Sequence, residues 1–204
     1  MARHGLSLVA GEDTPYSGGR LALAHWLRDL AESVGRRELA LEASLVAVRE
    51  FPSLNDYQNV QSLAGHRWPA LREDLLKMLH EKSYHTRAPV EIYLYEGLID
   101  DAIAAVSDTY ASHELVDIVV DGALKSNSHH EWVIEACRRQ AETIIEGGKS
   151  QLYRAAACWL EKAKAASVAA GREDEWRAYI QEIVARHKRK RSLVALLEAL
   201  LKRR

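Results

Sequence analysis

From Gly19 onward the apolar residues of this chain recur at three- and four-residue spacing, in successive blocks closed by Gly or Pro. That is the period of a helix with one buried face, so the pattern predicts a run of amphipathic helices. "GRLALAHWLRDLAESVG" sets Leu23, Trp26, Leu27 and Leu30 on one face and stops at Gly35. "RRELALEASLVAVREFP" aligns Leu41, Leu45 and Val48 and ends at Pro52, which cannot continue a helix. "SLNDYQNVQSLAG" opens on Ser53 as an N-cap and turns Leu54, Tyr57, Val60, Leu63 and Ala64 inward. "WPALREDLLKMLHEK" carries Pro69 in its first turn and then Leu71, Leu75, Leu76 and Leu79. "APVEIYLYEG" and "LIDDAIAAVSDT" read as a hairpin across Gly97, and "SHELVDIVVDGALKS" as one further helix. "SHHEWVIEACRRQAETIIEGG" begins with Ser128 and Glu131 in capping-box spacing. "SQLYRAAACWLEKAKAASVAAG", "REDEWRAYIQEIVARH" and "SLVALLEALLK", the last with Ser192 as its cap, bring the count to about eleven helices. The β-branched run "VDIVV" falls inside a helical pattern, so no strand is expected.

Three of the turns share one grammar: a Gly, then a packing residue five positions on. They are Gly35 with Ala40, Gly97 with Ala102, and Gly171 with Trp176. Glycine enters the left-handed region without a Cβ clash, and a small fifth residue lets two antiparallel helices approach. This is the turn logic of tetratricopeptide (TPR) hairpins. The glycines stand 62 and 74 residues apart, which are not multiples of the 34-residue TPR period. The expected fold is therefore all-α, a degenerate TPR-like right-handed solenoid of antiparallel helix pairs. Residues 1–17 show little periodicity and read as a flexible leader, with 18–204 as a single repeat domain. Trp176 departs from the small-residue rule, so a different packing is expected at that corner.

Composition changes this picture little, since 48% hydrophobic and 28% charged residues are ordinary for a folded chain. No apolar run approaches the length of a membrane span, and the N-terminus lacks a signal-peptide core. Cys137 and Cys158 lie in helical segments without metal-site spacing and read as small core residues, with a reducing, cytoplasmic compartment as the expected setting. Charge is more telling. Residues 186–204 hold eight Lys or Arg against one acid, whereas 1–185 hold 20 bases against 28 acids. Such asymmetry points either to an anionic partner or to a basic segment docked on its own acidic body.

The basic run Arg186, Lys188, Arg189, Lys190 and Arg191 is accordingly a candidate nucleic-acid contact, able to displace counterions from phosphates. Against that reading, successive helical residues point all round the axis, and no aromatic is interleaved to stack on single-stranded bases. His129 and His130 are adjacent, about 100° apart on a helix, and do not form a metal pair. His80 and His85 read as surface residues. Asp100 and Asp101 diverge at a helix start, where the dipole alone favours acids. Tyr93, Tyr95, Trp132, Trp159, Trp176 and Tyr179 are candidates for a partner groove, although hairpin seams also consume large residues. No phosphate loop, nucleophile elbow or metal motif is present, so neither catalytic nor metal residues nor a cofactor are assigned.

Residues 160–200, "LEKAKAASVAAGREDEWRAYIQEIVARHKRKRSLVALLEAL", resemble the C-terminal helical region of bacterial SWIM zinc-finger family proteins. There a helical tail reads AAGR-x-x-EW-x-x-Y, then H-x-R-K and an apolar helix. "FPSLNDYQNVQSLAG" and "EIYLYEGLIDDAIAAV" extend the likeness over roughly residues 20–204. The family's zinc site needs Cys-x-Cys and Cys-x-His, and this sequence has neither, so no metal ligand carries over. The resemblance implies a TPR-like helical region without its zinc finger. The function expected from all of this is a non-enzymatic scaffold for protein–protein interaction, holding a protein or peptide partner. The alternative is a nucleic-acid-associated module using the basic segment.

Overall fold

A computed structural model describes residues 17–81, 86–107 and 111–202. Helix accounts for 84% of the described residues and none lies in a strand, as the periodicity predicts. In chain order the helices are α1 (Ser17–Ser33), α2 (Arg37–Glu50), α3 (Leu54–Ala64), α4 (Trp68–Glu81), α5 (Arg87–Tyr95) and α6 (Ile99–Ala105). They continue as α7 (His113–Lys125), α8 (His130–Glu146), α9 (Tyr153–Ala169), α10 (Glu173–Arg186) and α11 (Arg191–Lys202). Short 3-10 turns, Gly65–Arg67 and Ser150–Leu152, precede α4 and α9. The leader read over 1–17 lies outside the described residues as far as Tyr16, and α1 starts at Ser17.

The shared turn grammar has a common backbone mechanism. Gly35, Gly97 and Gly171 take φ of +70°, +73° and +70°. At each corner the next residue's N–H reaches back to the preceding helix: Arg36 to the Ala31 carbonyl, Leu98 to Tyr93, Arg172 to Ser167, at 2.8, 2.8 and 2.7 Å. This closes the carbonyls left open at a helix end. The same three residues then accept the first bonds of the following helix, from the N–H groups of Ala40, Ala102 and Trp176. The fifth residue after the glycine is therefore the first with a full helical bond, and all three are completely buried. A fourth corner works without glycine: Asn127 adopts φ +49° and Ser128 N–H bonds the Ala123 carbonyl at 3.1 Å. Asn tolerates this region better than most residues.

The sequence reading treats 18–204 as one repeat domain; the contacts of the chain group into two compact units, Met1–Ala105 and Val106–Arg204. In the first, α2 packs against both α1 and α3, α3 against α4 and α5, and α5 against α6. The inner face of α1 is Ala24, Leu27 and Ala31, while Trp26 and Leu30 are 59% and 43% exposed. This corrects the expected α1 face. Alanines on α1 and on α2 (Ala40, Ala43, Ala47, all buried) let the two helices run close, and the bulkier stripe is left outside. A buried carboxylate ties α1 to α3: Asp56 accepts from Arg28 and His25, each at 3.0 Å, and from the Ser53 hydroxyl at 2.6 Å. Ser53 also caps α3 by accepting from Asp56 N–H, as expected.

In the second unit α9 is the hub, packing against α7, α8, α10 and α11. Its Ala156, Leu160, Ala163 and Ala166 are wholly buried, a small-residue surface on which several helices close. Lys162 bridges α9 to α7, its Nζ lying 2.7 and 2.6 Å from the carboxylates of Asp117 and Asp121. α11 turns Leu193, Leu197 and Leu200 into this core. Two caps differ from expectation. His129, at φ +56°, is the N-cap of α8, so Ser128 and Glu131 form no capping box, and Glu131 pairs with Arg172 instead. Lys190, not Ser192, precedes the first turn of α11, its carbonyl accepting from Val194 N–H.

Candidate functional site

The six aromatics proposed as a partner groove do not share one environment. Tyr93, Trp159 and Trp176 are core residues, at 3%, 7% and 0% exposure. Trp176 fills the corner after Gly171 and donates its indole N–H to the Leu160 carbonyl at 3.0 Å. Burial and the nearby Asp101 charge push the Tyr93 phenol up to about 12. Tyr95 is exposed and bonded to Gln61. Tyr179 donates to Glu142 at 2.7 Å beneath the Arg138 guanidinium, which sits 4.2 Å from its ring centre; burial first, then Glu142, raises its pKa. Hairpin seams consume three of these rings, and Trp132 lines a cleft.

That cleft, about 310 Å³, lies in the second unit among Val106, Ser107 and Ala111, the helix α7 and the helix α8. Its α8 wall is one helical stripe: Trp132, Ala136, Arg139, Gln140 and Thr143 recur at three- and four-residue spacing. Val106, Val116 and Ala136 form a buried apolar floor. Half-buried Trp132 lines it as well, and His113, Arg139 and Gln140 supply polar groups. The Thr143 hydroxyl is spent on the Arg139 carbonyl, at 2.8 Å. The Arg139 guanidinium has no hydrogen bond or ion pair among the described residues, although its donor fork matches a carboxylate bidentately. Nothing in the sequence marks Arg139 as different from its neighbour Arg138, because the distinction arises only where α7 meets α8.

The basic run divides by role. Arg186 pairs with Glu182 one turn back on α10. Lys190 is structural: its Nζ donates to the Ile145 carbonyl at 2.6 Å and lies 5.8 Å from the Tyr153 ring centre. Lys188, Arg189 and Arg191 are exposed and make no ion pair among the described residues. The bond from Lys190 joins the turn 187–190 to the end of α8, next to the turn that carries Lys149 and leads to Arg154 on α9. These two are also exposed and unpaired among the described residues. Through Lys190 the segment that carries these two cations is set beside the basic run, a neighbourhood that no sequence window contains.

The remaining candidates resolve into structural roles. His80 donates from Nδ1 to the Leu76 carbonyl and from Nε2 to Asp101, at 2.8 and 2.9 Å; both contacts favour the imidazolium and raise its pKa. Asp101 is therefore ion-paired with His80. His85 lies outside the described residues. His130 bonds Asn127 at 3.1 Å. Ser53, Asp56 and His25 look superficially like hydrolytic partners, but the carboxylate sits between the other two. The hydroxyl donates to Asp56 and reaches no imidazole base, so the group works as a clamp. Cys137 is buried and its thiol is pushed up to about 12 by that burial; Cys158, expected in the core, is exposed. Among the described residues no group of three or more His, Cys, Asp or Glu could hold a metal ion, and no helix is long and apolar enough to cross a membrane.

Comparison of the chain with protein-family models, with curated proteins and with solved structures returns no match.

Proposed function

We propose that this chain is a non-enzymatic helical scaffold that holds a segment of a partner protein, with the cleft around Trp132 as the docking site. The observation that carries this reading is the juxtaposition in one cleft of a buried apolar floor, an indole face and an unpaired guanidinium. An apolar side chain has a place to leave water, and a carboxylate near it has a bidentate partner. The segment that fits is a short peptide with Asp or Glu close to an aliphatic or aromatic residue. The corners at Gly35, Gly97 and Gly171 support reading the helix pairs as TPR-like and right-handed within each unit. The likeness to the helical region of bacterial SWIM zinc-finger proteins and a cytoplasmic setting belong to the same proposal, the latter supported by two free thiols.

Selection of random peptides on the full chain tests it. The expected pool is enriched in acidic–apolar pairs and loses binding to Trp132→Ala and to Arg139→Glu, while circular dichroism of both variants stays helical. A pool that binds both variants as well as the parent removes the cleft from the account.

A further inference from the structure

We propose that the corner of the second unit where the 147–154 and 187–191 segments meet is a docking surface for the phosphate backbone of a nucleic-acid duplex. Five cations there, Lys149, Arg154, Lys188, Arg189 and Arg191, are exposed and free of ion pairs among the described residues. Other basic side chains of this unit are committed to carboxylates: Lys162 to two aspartates, Arg172 to Glu131 and Glu175, Arg177 to Glu173, Arg186 to Glu182. The corner is held in shape from beneath by Lys190, through its bond to the Ile145 carbonyl and its contact with the Tyr153 ring. The field is felt locally, since Lys190 and Arg186 join burial in depressing the His187 pKa against the opposing pull of Glu146.

The occupant follows from what the corner lacks. Single strands are gripped by stacking bases on exposed rings, but the ring at this corner, Tyr153, is 4% exposed beneath Lys190. A membrane surface is gripped by an amphipathic helix that lends its apolar face, but α11 has spent Leu193, Leu197 and Leu200 on the core. What remains is an array of point charges, with two arginines and a lysine between 188 and 191. That array suits the regular phosphates of a duplex and reads no base sequence.

The test is fluorescence anisotropy of the full chain with a 20-base-pair DNA duplex and with an RNA duplex of the same sequence, from 50 to 200 mM salt. Five phosphate contacts give a log–log salt slope of about −4.5 on DNA, or a loss of about 500-fold across that range. The decisive variant is the double change Lys149→Ala with Arg154→Ala, remote in sequence from the basic run; it should flatten the slope by about two. Lys188→Ala, Arg189→Ala and Arg191→Ala together should flatten it by about three. Arg49→Ala, an exposed cation of the first unit, should leave it unchanged. Binding to either duplex with this pattern supports the proposal, and the tighter arm identifies the nucleic acid. It is overturned by no duplex binding at 50 mM salt, or by an unchanged slope in the Lys149/Arg154 variant. Binding confined to phosphatidylserine vesicles or to poly-glutamate likewise overturns it.

Discussion

Trp176 replaces the small residue found at the two other glycine corners, and replacing it in turn gives a graded measure of how the second unit is held together. The side chain is completely buried, and its indole N–H reaches the Leu160 carbonyl at 3.0 Å, with the Lys164 ammonium 5.3 Å from the ring centre. Trp176→Phe removes the hydrogen bond, worth about 1 kcal/mol net. It also opens a void of roughly 40 Å³, which at about 24 cal/mol per Å³ adds about 1 kcal/mol. The Leu160 carbonyl keeps its helical partner within α9, so no buried acceptor is orphaned and the total stays near 2 kcal/mol. Trp176→Ala removes the whole ring system and costs about 3–5 kcal/mol, a large share of the ~5–15 kcal/mol that holds a typical domain. The assay is urea unfolding of the full chain followed by circular dichroism at 222 nm, with the remaining tryptophans as a second probe. With a slope near 2 kcal/mol per M, the Phe variant should lower the midpoint of the second unit's transition by about 1 M. The Ala variant should lower it by about 2 M. An Ala variant within 0.3 M of the parent, or a Phe variant as damaged as Ala, would refute this account of the corner.

The other expectations are briefer. Gly97→Ala and Gly171→Ala meet no atom within 4 Å of the new Cβ, so the left-handed φ alone should cost about 1–2 kcal/mol each in the same urea assay. A neutral result would mean the corners relax freely. Asp56→Ala strips a buried carboxylate from Arg28 and His25 and should cost about 3 kcal/mol. Asp117→Ala loses one half-exposed partner of Lys162 and should cost under about 1 kcal/mol; equal costs would contradict the burial argument. Imidazole titration by NMR should find His80 above the ordinary value of about 6.5, because its two donors face the Leu76 carbonyl and Asp101, and His187 below it. A raised folded pKa means that His80 stabilises fully below its unfolded pKa and loses that contribution as pH rises through the folded one. A lowered folded pKa means that His187 contributes fully above its unfolded pKa and loses this as pH falls through the folded one. Both histidines titrating on the same side of 6.5 would overturn these assignments.

The helices and their glycine corners were legible in the sequence because both signals are local. A 3.6-residue period and a left-handed glycine depend on neighbours within one or two turns. The α8 entry failed for the same reason: Ser128 and Glu131 satisfy a capping box locally, but Asn127 and His129 take the left-handed positions and Arg172, far along the chain, claims Glu131. The α1 face was misread because size stood in for burial. Trp26 and Leu30 look like core, yet the seam with α2 is an alanine seam. Most of the candidate surfaces were not legible. Arg139 becomes distinct only when α7 lies beside α8, and the segment that carries Lys149 and Arg154 is set beside the basic run by the contacts of Lys190. Trp132 is the exception, named among the aromatics and found at the cleft.

A charge-swap cycle at Arg139 tests the scaffold reading most directly. A peptide selected on the parent chain, and its Glu→Lys counterpart, are titrated calorimetrically against the parent and against Arg139→Glu. Docking in the cleft predicts that each single change weakens binding at least tenfold and that the two changes together restore most of it. If Arg139→Glu binds the original peptide as tightly as the parent does, the cleft does not hold the partner.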